Sequence, residues 1–335
     1  MGSSPQFVDF DGDGVTDLIS GSYDPGEVYL FRGKGKGEFA ARETITDKGG
    51  KPVVRVPDQK DKVESFGSWL ALVDWDDDGD LDILLGGFDG SIVVRLNEGT
   101  RTKPAYATAN VVPTMTDGKP LKVPEHHANP VVVDWDGDGR WDIVSGCSDG
   151  GVYLFRNVGG KGKPAFDPPV ALLKPHDGVG YGEFLDVDEE PKPGIRSQIA
   201  VCDYNGDGKP DLLVGDFCTY MRPRADLTTA ERAAMKDLRA KMEALRPKTT
   251  AEAKKLSDQI AKHTEKWTPD DWRKRQQEYK ELREKLFRTE PYKSLADEYK
   301  GHFEKLKPLL AKPAGMSIGD DQAGATGYVW LFLRK

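Results

Sequence analysis

Short apolar runs of four or five residues recur along the chain, and each is bounded by glycine or aspartate. They keep a fixed order around an acidic segment, with one run before it, one directly after it and a third shortly afterwards. One such set is PVVVD (130–134), DIVSG (142–146) and GGVYLFRN (150–157). Apolar runs of this length with these boundaries predict β-strands.

The acidic segment between the first two runs is present four times without a gap. Its copies are DFDGDGVTDL (9–18), DWDDDGDLDI (74–83), DWDGDGRWDI (134–143) and DYNGDGKPDL (203–212). The copies begin about 60 residues apart, which suits one blade of a β-propeller better than one turn of a solenoid. The chain is therefore predicted to be an all-β protein, a β-propeller of about four blades.

The fourth repeat lacks its third strand at the expected place. The matching run, GYVWLFLR (327–334), stands at the end of the chain, so that about 100 residues are inserted where the other repeats have a hairpin. We predict propeller blades over residues 5–218, a helical insertion over 219–324, and the closing strand of the fourth blade over 325–335.

Helix start signals divide the insertion. They are two capping boxes and two X-Pro pairs, at Thr228/Glu231, Thr249/Glu252, Thr268-Pro269 and Glu290-Pro291. Apolar residues between them recur at intervals of three and four, which predicts three or four amphipathic helices packed as hairpins or a bundle. The dense Lys and Glu residues between the apolar positions are typical of a solvated face.

The repeats resemble the FG-GAP/VCBS repeats of integrin α-chain propellers and of bacterial secreted proteins. The resemblance covers about two thirds of the chain and rests on the four acidic segments, with Phe66-Gly67 as a match to the FG element. It implies a β-propeller that binds Ca²⁺ and serves as a scaffold. It also implies a secreted location, extracellular or periplasmic, although no signal peptide is visible.

Each acidic segment places oxygen ligands at positions 1, 3, 5 and 9, and a backbone carbonyl at position 7. The predicted ligands are Asp9, Asp11, Asp13, Val15 and Asp17; Asp74, Asp76, Asp78, Asp80 and Asp82; Asp134, Asp136, Asp138, Arg140 and Asp142; Asp203, Asn205, Asp207, Lys209 and Asp211. Hard oxygen ligands in this number favour Ca²⁺, and no Glu stands at position 12 as it would in an EF-hand. We expect about four structural calcium ions, which would balance the formal net charge of −8.

Two further features accompany the segments. Position 2 is aromatic in every copy (Phe10, Trp75, Trp135, Tyr204), either as a platform for a sugar or, as we favour, as packing against the neighbouring blade. The odd number of cysteines, three, argues against a disulfide framework.

A candidate ligand site lies at the other end of the innermost strands. Aligned on the first aspartate, Trp69 matches Asn129 and Gln198, while Gly67 matches His127 and Arg196. We predict a site that combines an aromatic ring, a cation, amides and imidazoles, formed by Trp69, His126, His127, Asn129, Arg196 and Gln198. The alternative is that these residues only fill a narrow channel.

The functional prediction is a calcium-binding extracellular scaffold that recognises a protein or a glycan of unknown identity. Two alternatives stay open, a carbohydrate-active enzyme of the polysaccharide-lyase kind and a structural subunit that docks through its helical insertion. We predict that the chain is not an enzyme, because the sequence has no HExxH, nucleophile or phosphate-loop motif. Its acidic charge argues against nucleic acid, and no apolar run approaches the length of a membrane span.

Overall fold

The computed structural model describes residues 4–56, 67–175, 183–186, 189–267, 271, 274–311 and 324–334. The chain forms two compact units. The first comprises Met1–Tyr181, Lys192–Cys218 and Thr326–Lys335, and the second comprises Gly182–Pro191 and Thr219–Ala325. The predicted boundary at 218/219 falls within a strand, and residues 182–191, which we had assigned to the blades, pack with the helical unit.

Four separate sheets follow one another along the chain, and the first three are antiparallel. Their strands are β1 (Ser4–Val8), β2 (Asp17–Gly21), β3 (Val28–Phe31) and β4 (Glu43–Thr44); β5 (Trp69–Val73), β6 (Asp82–Gly86) and β7 (Ile92–Arg95); β8 (Asn129–Val133), β9 (Asp142–Gly146), β10 (Val152–Phe155) and β11 (Val170–Leu173). Each acidic segment joins two consecutive strands that pair antiparallel, and in the first three sheets these are the first two strands. The register is the same each time, because the residue before the segment pairs with the aspartate at position 9.

The fourth sheet has five strands. They are β12 (Glu183–Phe184), β13 (Ile195–Cys202), β14 (Asp211–Met221), β15 (Gly324–Thr326) and β16 (Val329–Phe332). β14 is central: it pairs antiparallel with β13 and β16 and parallel with the two residues of β12. The helices lie between β14 and β16 in the chain, although these two strands are neighbours in the sheet.

Each of the first three sheets buries one face against the next sheet in the chain. Side chains alternate along the strands, so that Leu70 on β5 packs towards the first sheet while Ala71 packs towards the third. Three apolar clusters fill the joints between sheets one and two, two and three, and three and four. Fully buried residues such as Ile19 and Leu84 each contribute about 1.5–3 kcal/mol. Among the described residues no buried apolar cluster joins the fourth sheet to the first.

The second unit contains three α-helices in its described part. These are α1 (Thr229–Thr264), α2 (Gln276–Leu286) and α3 (Tyr292–Leu306), with a short 3₁₀ turn at Lys307–Leu309. α1 and α3 share an apolar core that includes Met235, Met242 and Leu306. None of the described helices is both long and apolar enough to cross a membrane.

The helix start signals had different outcomes. Thr228 and Glu231 form the capping box that begins α1, and α3 begins directly after Pro291. The prediction of a second start at Thr249/Glu252 is wrong, because α1 continues through Pro247 and the Thr249 hydroxyl donates to the carbonyl of Leu245 at 3.0 Å. Buried residues on both sides of Pro247 hold one continuous helix together despite the roughly 3 kcal/mol cost of an internal proline. The signal at Thr268-Pro269, like Phe66 of the FG element, lies outside the described residues.

Candidate functional site

The four acidic loops share one hydrogen-bonded framework. The aspartate at position 1 accepts a hydrogen bond from the backbone N–H of the glycine at position 6, at 2.9–3.2 Å in every loop. The carboxylate at position 5 accepts from the N–H at position 7, at 2.7–3.0 Å. The loops therefore turn back on themselves through aspartate side chains, as Asx turns do.

Two positions in each loop need a left-handed backbone. The glycine at position 6 has φ between 82° and 93°, as its invariance among the four copies predicts. Position 4 is also left-handed, which we had not predicted, and the signal was the glycine in three of the four copies. The second loop has Asp77 there instead, with φ of 64°. Aspartate tolerates this region better than most residues, so the loop keeps its shape.

The aspartate at position 9 is buried in every loop and ties the loop to the sheet. One carboxylate oxygen accepts from the N–H at position 2, at 2.9–3.1 Å. The other accepts from the N–H just beyond the third strand, at 2.6–2.8 Å, at Gly33, Asn97, Asn157 and Arg334. Because it accepts both hydrogen bonds, the aspartate at position 9 has a structural role that does not depend on a metal. Its additional role as a metal ligand stays a prediction.

Three of the loops bring three carboxylates within 4.8 Å of one another and so could hold a metal ion. The clusters are Asp9/Asp11/Asp13, Asp74/Asp76/Asp78 and Asp134/Asp136/Asp142. The residues fit a hard cation, because buried oxygens of Asp9, Asp11 and Asp80 have no hydrogen-bond partner within the described part of the chain. In two of the clusters, Arg32 forms an ion pair with Asp11 and Arg156 with Asp136.

The fourth loop differs from the other three. Among the described residues, Asp203, Asp207 and Asp211 do not form such a cluster. Asn205 replaces the aspartate at position 3 and donates from its side chain to Asp207 at 3.2 Å. The ligand role predicted for this loop, and for the position 7 carbonyls of all four loops, stays a prediction.

The second loop contains one carboxylate more than the sequence pattern assigned to it. The Asp80 side chain at position 7 is buried beside Asp74, Asp76 and Asp78, whereas the prediction used only its carbonyl. Burial and then the charge of Asp78 raise the Asp80 pKa to about 6. Burial also raises the Asp82 pKa to about 7, although the hydrogen bonds from Asn97 and Trp75 act to lower it. Crowded carboxylates of this kind favour a cation between them.

Each of the first three loops is contacted by the blade that follows it. Arg101 donates to the carbonyl of Asp9 at 2.6 Å, Lys161 forms an ion pair with Asp77 at 2.7 Å, and Arg334 donates to the carbonyl of Trp135. The position 2 aromatics Phe10, Trp75 and Trp135 pack in the joints to the next blade, as we favoured. Tyr204 of the fourth loop is instead 62% exposed.

Five of the six predicted ligand residues form two contacting groups at the start of the innermost strands, while the guanidinium of Arg196 lies over the Phe217 ring, 5.2 Å from its centroid. The Trp69 ring lies 5.7 Å from the His127 ring, which packs edge-on against Phe88 at 4.2 Å. Burial, and then the charge of Arg196, lower the His127 pKa to about 4. In the other group, Asn129 donates to the side chain of Gln198 at 2.8 Å. The His126 ring lies 6.3 Å from the Phe88 ring. Phe88 therefore contacts both histidines and belongs to the first group, although we did not predict it as a site residue.

Backbone strain is concentrated at the same positions. Gly67, His127 and Arg196 occupy equivalent places and all are left-handed, with φ of 74°, 60° and 59°. Their N–H groups donate to carbonyls of the preceding blade, at 2.7–3.1 Å, which holds the backbone in this conformation. The two non-glycine residues keep side chains at a conformational cost, and such strain is common at functional sites.

A cavity of about 350 Å³ lies on the loop side, between the second and third blades. Its walls include the aromatic rings of Trp75, Trp141 and Phe166 and the charged groups of Arg140 and Lys161. The sequence pattern had placed the ligand at the other end of the strands, and this cavity was not predicted.

Comparison with known proteins identifies the repeats. Residues 9–58 and 134–214 match the family model described as FG-GAP-like repeat. These two regions contain three of the four acidic segments, and the second segment, at 74–83, lies between them. No curated protein matches the chain.

Proposed function

Because the chain is an FG-GAP-like repeat protein, we propose that it is a calcium-stabilised scaffold for recognition of a protein or a glycan. The three carboxylate clusters within 4.8 Å carry this proposal. Calcium prefers several carboxylate and carbonyl oxygens, and loops of this composition offer little to softer metals. Four ions per chain would occupy the four loops, with the ligands at positions 1, 3, 5, 7 and 9.

The metal has a structural role in this proposal. Bound calcium supplies positive charge that offsets the repulsion among the loop carboxylates, and so it holds together the turn between the first two strands. A ligand that binds only the folded state stabilises it by mass action. We also propose a secreted location, extracellular or periplasmic, where calcium-binding modules work at affinities of about 10⁻⁴–10⁻³ M.

Metal binding is tested with a matched pair in one loop. Asp76→Asn removes a cluster carboxylate, whereas Asp77→Asn makes the same charge change at a neighbour that is not a predicted ligand. Calorimetric titration of the chelator-treated protein should give about four calcium ions for the native chain and for Asp77→Asn, and one fewer or a much weaker site for Asp76→Asn. Equal titrations of the two variants would contradict calcium binding by these carboxylates.

We place recognition at the strand starts, at the predicted site of Trp69, His126, His127, Asn129, Arg196 and Gln198. The strained His127 and Arg196 support this placement, because glycine would relieve the strain if the side chains had no role. We also propose that the chain binds its partner without transforming it and does not act as an enzyme.

Recognition is tested by screening glycans and proteins in millimolar calcium. Arg196→Gln should weaken binding at least tenfold, while Trp141→Ala in the loop-side cavity should leave it unchanged. The reverse result would move the ligand to the cavity between the second and third blades. Turnover of a bound polysaccharide would contradict a purely binding role.

A further inference from the structure

Apolar residues that the repeats bury in the first three blades are exposed in the fourth. Val329 is 73% exposed, although its equivalents Val28, Ile92 and Val152 are completely buried. Leu331 is 41% exposed, whereas its equivalents in the other blades are at most 6% exposed. At the three internal joints, the equivalent residues lie on the side of a blade that faces the next blade in the chain. Val329, Leu331 and Tyr204 lie on this same side of the fourth blade. We call this side the trailing face.

The first blade shows the complementary exposure. Its side that faces away from the second blade, the leading face, includes Phe7, which is 68% exposed. The equivalent residues Leu72, Val132 and Val201 pack in the internal joints. Phe39 also lies on this face, with its ring centroid 6.1 Å from that of Phe7. It is half-buried, while its equivalents Tyr106 and Phe166 are fully buried.

The glycines that end the second strand of each blade show how closely consecutive blades approach one another. A Cβ at Gly21, Gly86 or Gly146 would lie 1.6–2.3 Å from a backbone carbonyl oxygen of the following blade, so only glycine fits. Gly215 holds the same place in the fourth blade, but the nearest atom to a Cβ there would be 3.6 Å away, on its own neighbouring strand. Among the residues that the structure describes, the fourth blade thus carries the glycine of a joint but has no blade packed against it.

We propose that the trailing face of the fourth blade packs against the leading face of the first blade of a second copy of this chain. We choose a second copy as the partner because a trailing face already packs against a leading face at each of the three internal joints. The two exposed faces form one more pair of this kind. The contact is heterologous, because it joins two different faces. Two or more copies can therefore close into a ring or continue as an open chain of blades. The second copy's leading face would also cover the exposed fourth loop, as a following blade covers the other three.

The test measures mass against concentration in calcium, by ultracentrifugation of the whole chain. Dimers or larger species, at multiples of the 37.0 kDa chain, should form in the micromolar range. Gly215→Val should shift association at least tenfold towards monomer. In the single chain a Cβ at this position meets nothing closer than 3.6 Å, and the circular dichroism spectrum checks that the variant folds like the native chain. Val112→Asp, in an exposed loop off both faces, is the control and should associate like the native chain.

A mixing experiment distinguishes this contact from a symmetric one. Phe7→Asp damages only the leading face and Val329→Asp only the trailing face, so each alone should be monomeric. Mixed, they should associate again, because one undamaged face remains on each chain and the two are complementary. Failure of the mixture to associate would overturn the proposed pairing of faces.

Cys202 provides an independent readout. It lies exposed on the trailing face, while Cys147 and Cys218 are buried, and none of the three cysteines forms a disulfide. Its alkylation should slow several-fold as the native protein is concentrated, and not in Gly215→Val. A monomer at all concentrations with unchanged alkylation would overturn the proposal, and it would leave the calcium titrations of the proposed function unaffected.

Discussion

The second and fourth acidic loops are built on the same backbone hydrogen bonds, but they differ in their surroundings. In the second loop Asp80 and Asp82 are almost completely buried and the third blade contacts Asp77 through Lys161. In the fourth loop residues 203–209 are all exposed, and Lys209 stands where the second loop has Asp80. The second loop thus buries two carboxylates, whereas the fourth buries only Asp211 at position 9 and leaves its other carboxylates in water.

This difference shows that the shape of the loop and its demand for a cation have separate origins. The shape comes from aspartate side chains that accept hydrogen bonds from loop amides, and both loops have them. The demand for a cation comes from desolvation and crowding, which raise carboxyl pKa values in the second loop. A blade packed against the loop therefore increases the need for calcium.

The largest expected effect is the loss of the position 9 carboxylate. Asp82→Ala leaves the buried N–H of Asn97 and the part-buried N–H of Trp75 without an acceptor and should cost about 3–5 kcal/mol of unfolding free energy. Asp211→Ala should cost about 1–2 kcal/mol, because the two N–H groups that lose their acceptor, those of Tyr204 and Arg334, are only part-buried and can bond to water. Urea unfolding in calcium measures both, and equal costs would mean that enclosure of the loop is unimportant.

The next effect concerns affinity for calcium. We expect the fourth loop to bind calcium most weakly, since Asn205 removes one charge and the loop is open to water. Asn205→Asp should tighten the weakest site about tenfold, or about 1.4 kcal/mol, in a calorimetric titration. Ser148→Asp, which adds the same charge away from the loops, serves as the control. No change in the weakest site would place it in another loop.

A smaller effect should appear as a pH dependence in the presence of a chelator. The Asp80 pKa is raised in the folded state, so the metal-free protein should lose stability as the pH rises from about 4 to above 6. Asp80→Asn should remove part of this loss and stabilise the metal-free protein at pH 8 by about 1 kcal/mol. Lys209→Gln in the fourth loop should have no such effect. Melting temperatures that rise with pH for the metal-free native chain would contradict the assignment.

The smallest effect is expected for the contact between Lys161 and Asp77. Lys161→Ala should change stability by about 0.5 kcal/mol or less, because an exposed ion pair contributes little in water. A salt series of melting curves checks this. A larger loss would mean that this ion pair, and not the packing of the third blade, encloses the second loop.

The sequence alone determined the blades, because their information is local and repeated. Alternating apolar residues define the strands, and aspartates at fixed spacing define turns that close through their own side chains. The capping box at Thr228 was equally readable, since it involves residues three positions apart. The start predicted at Thr249 failed because apolar packing on both sides of Pro247 outweighs a local signal.

Only the tertiary structure decided which equivalent residues differ in environment. Val28 and Val329, or Asp80 and Lys209, have matching places in the repeat, and no local pattern shows that one is enclosed and the other open. Enclosure depends on whether another blade packs against that face, which is a contact between residues far apart in the chain. The same holds for Phe88 beside His127 and for the cavity between the second and third blades. Burial sets the pKa values and the exposed faces, and burial is a property of the assembled sheets.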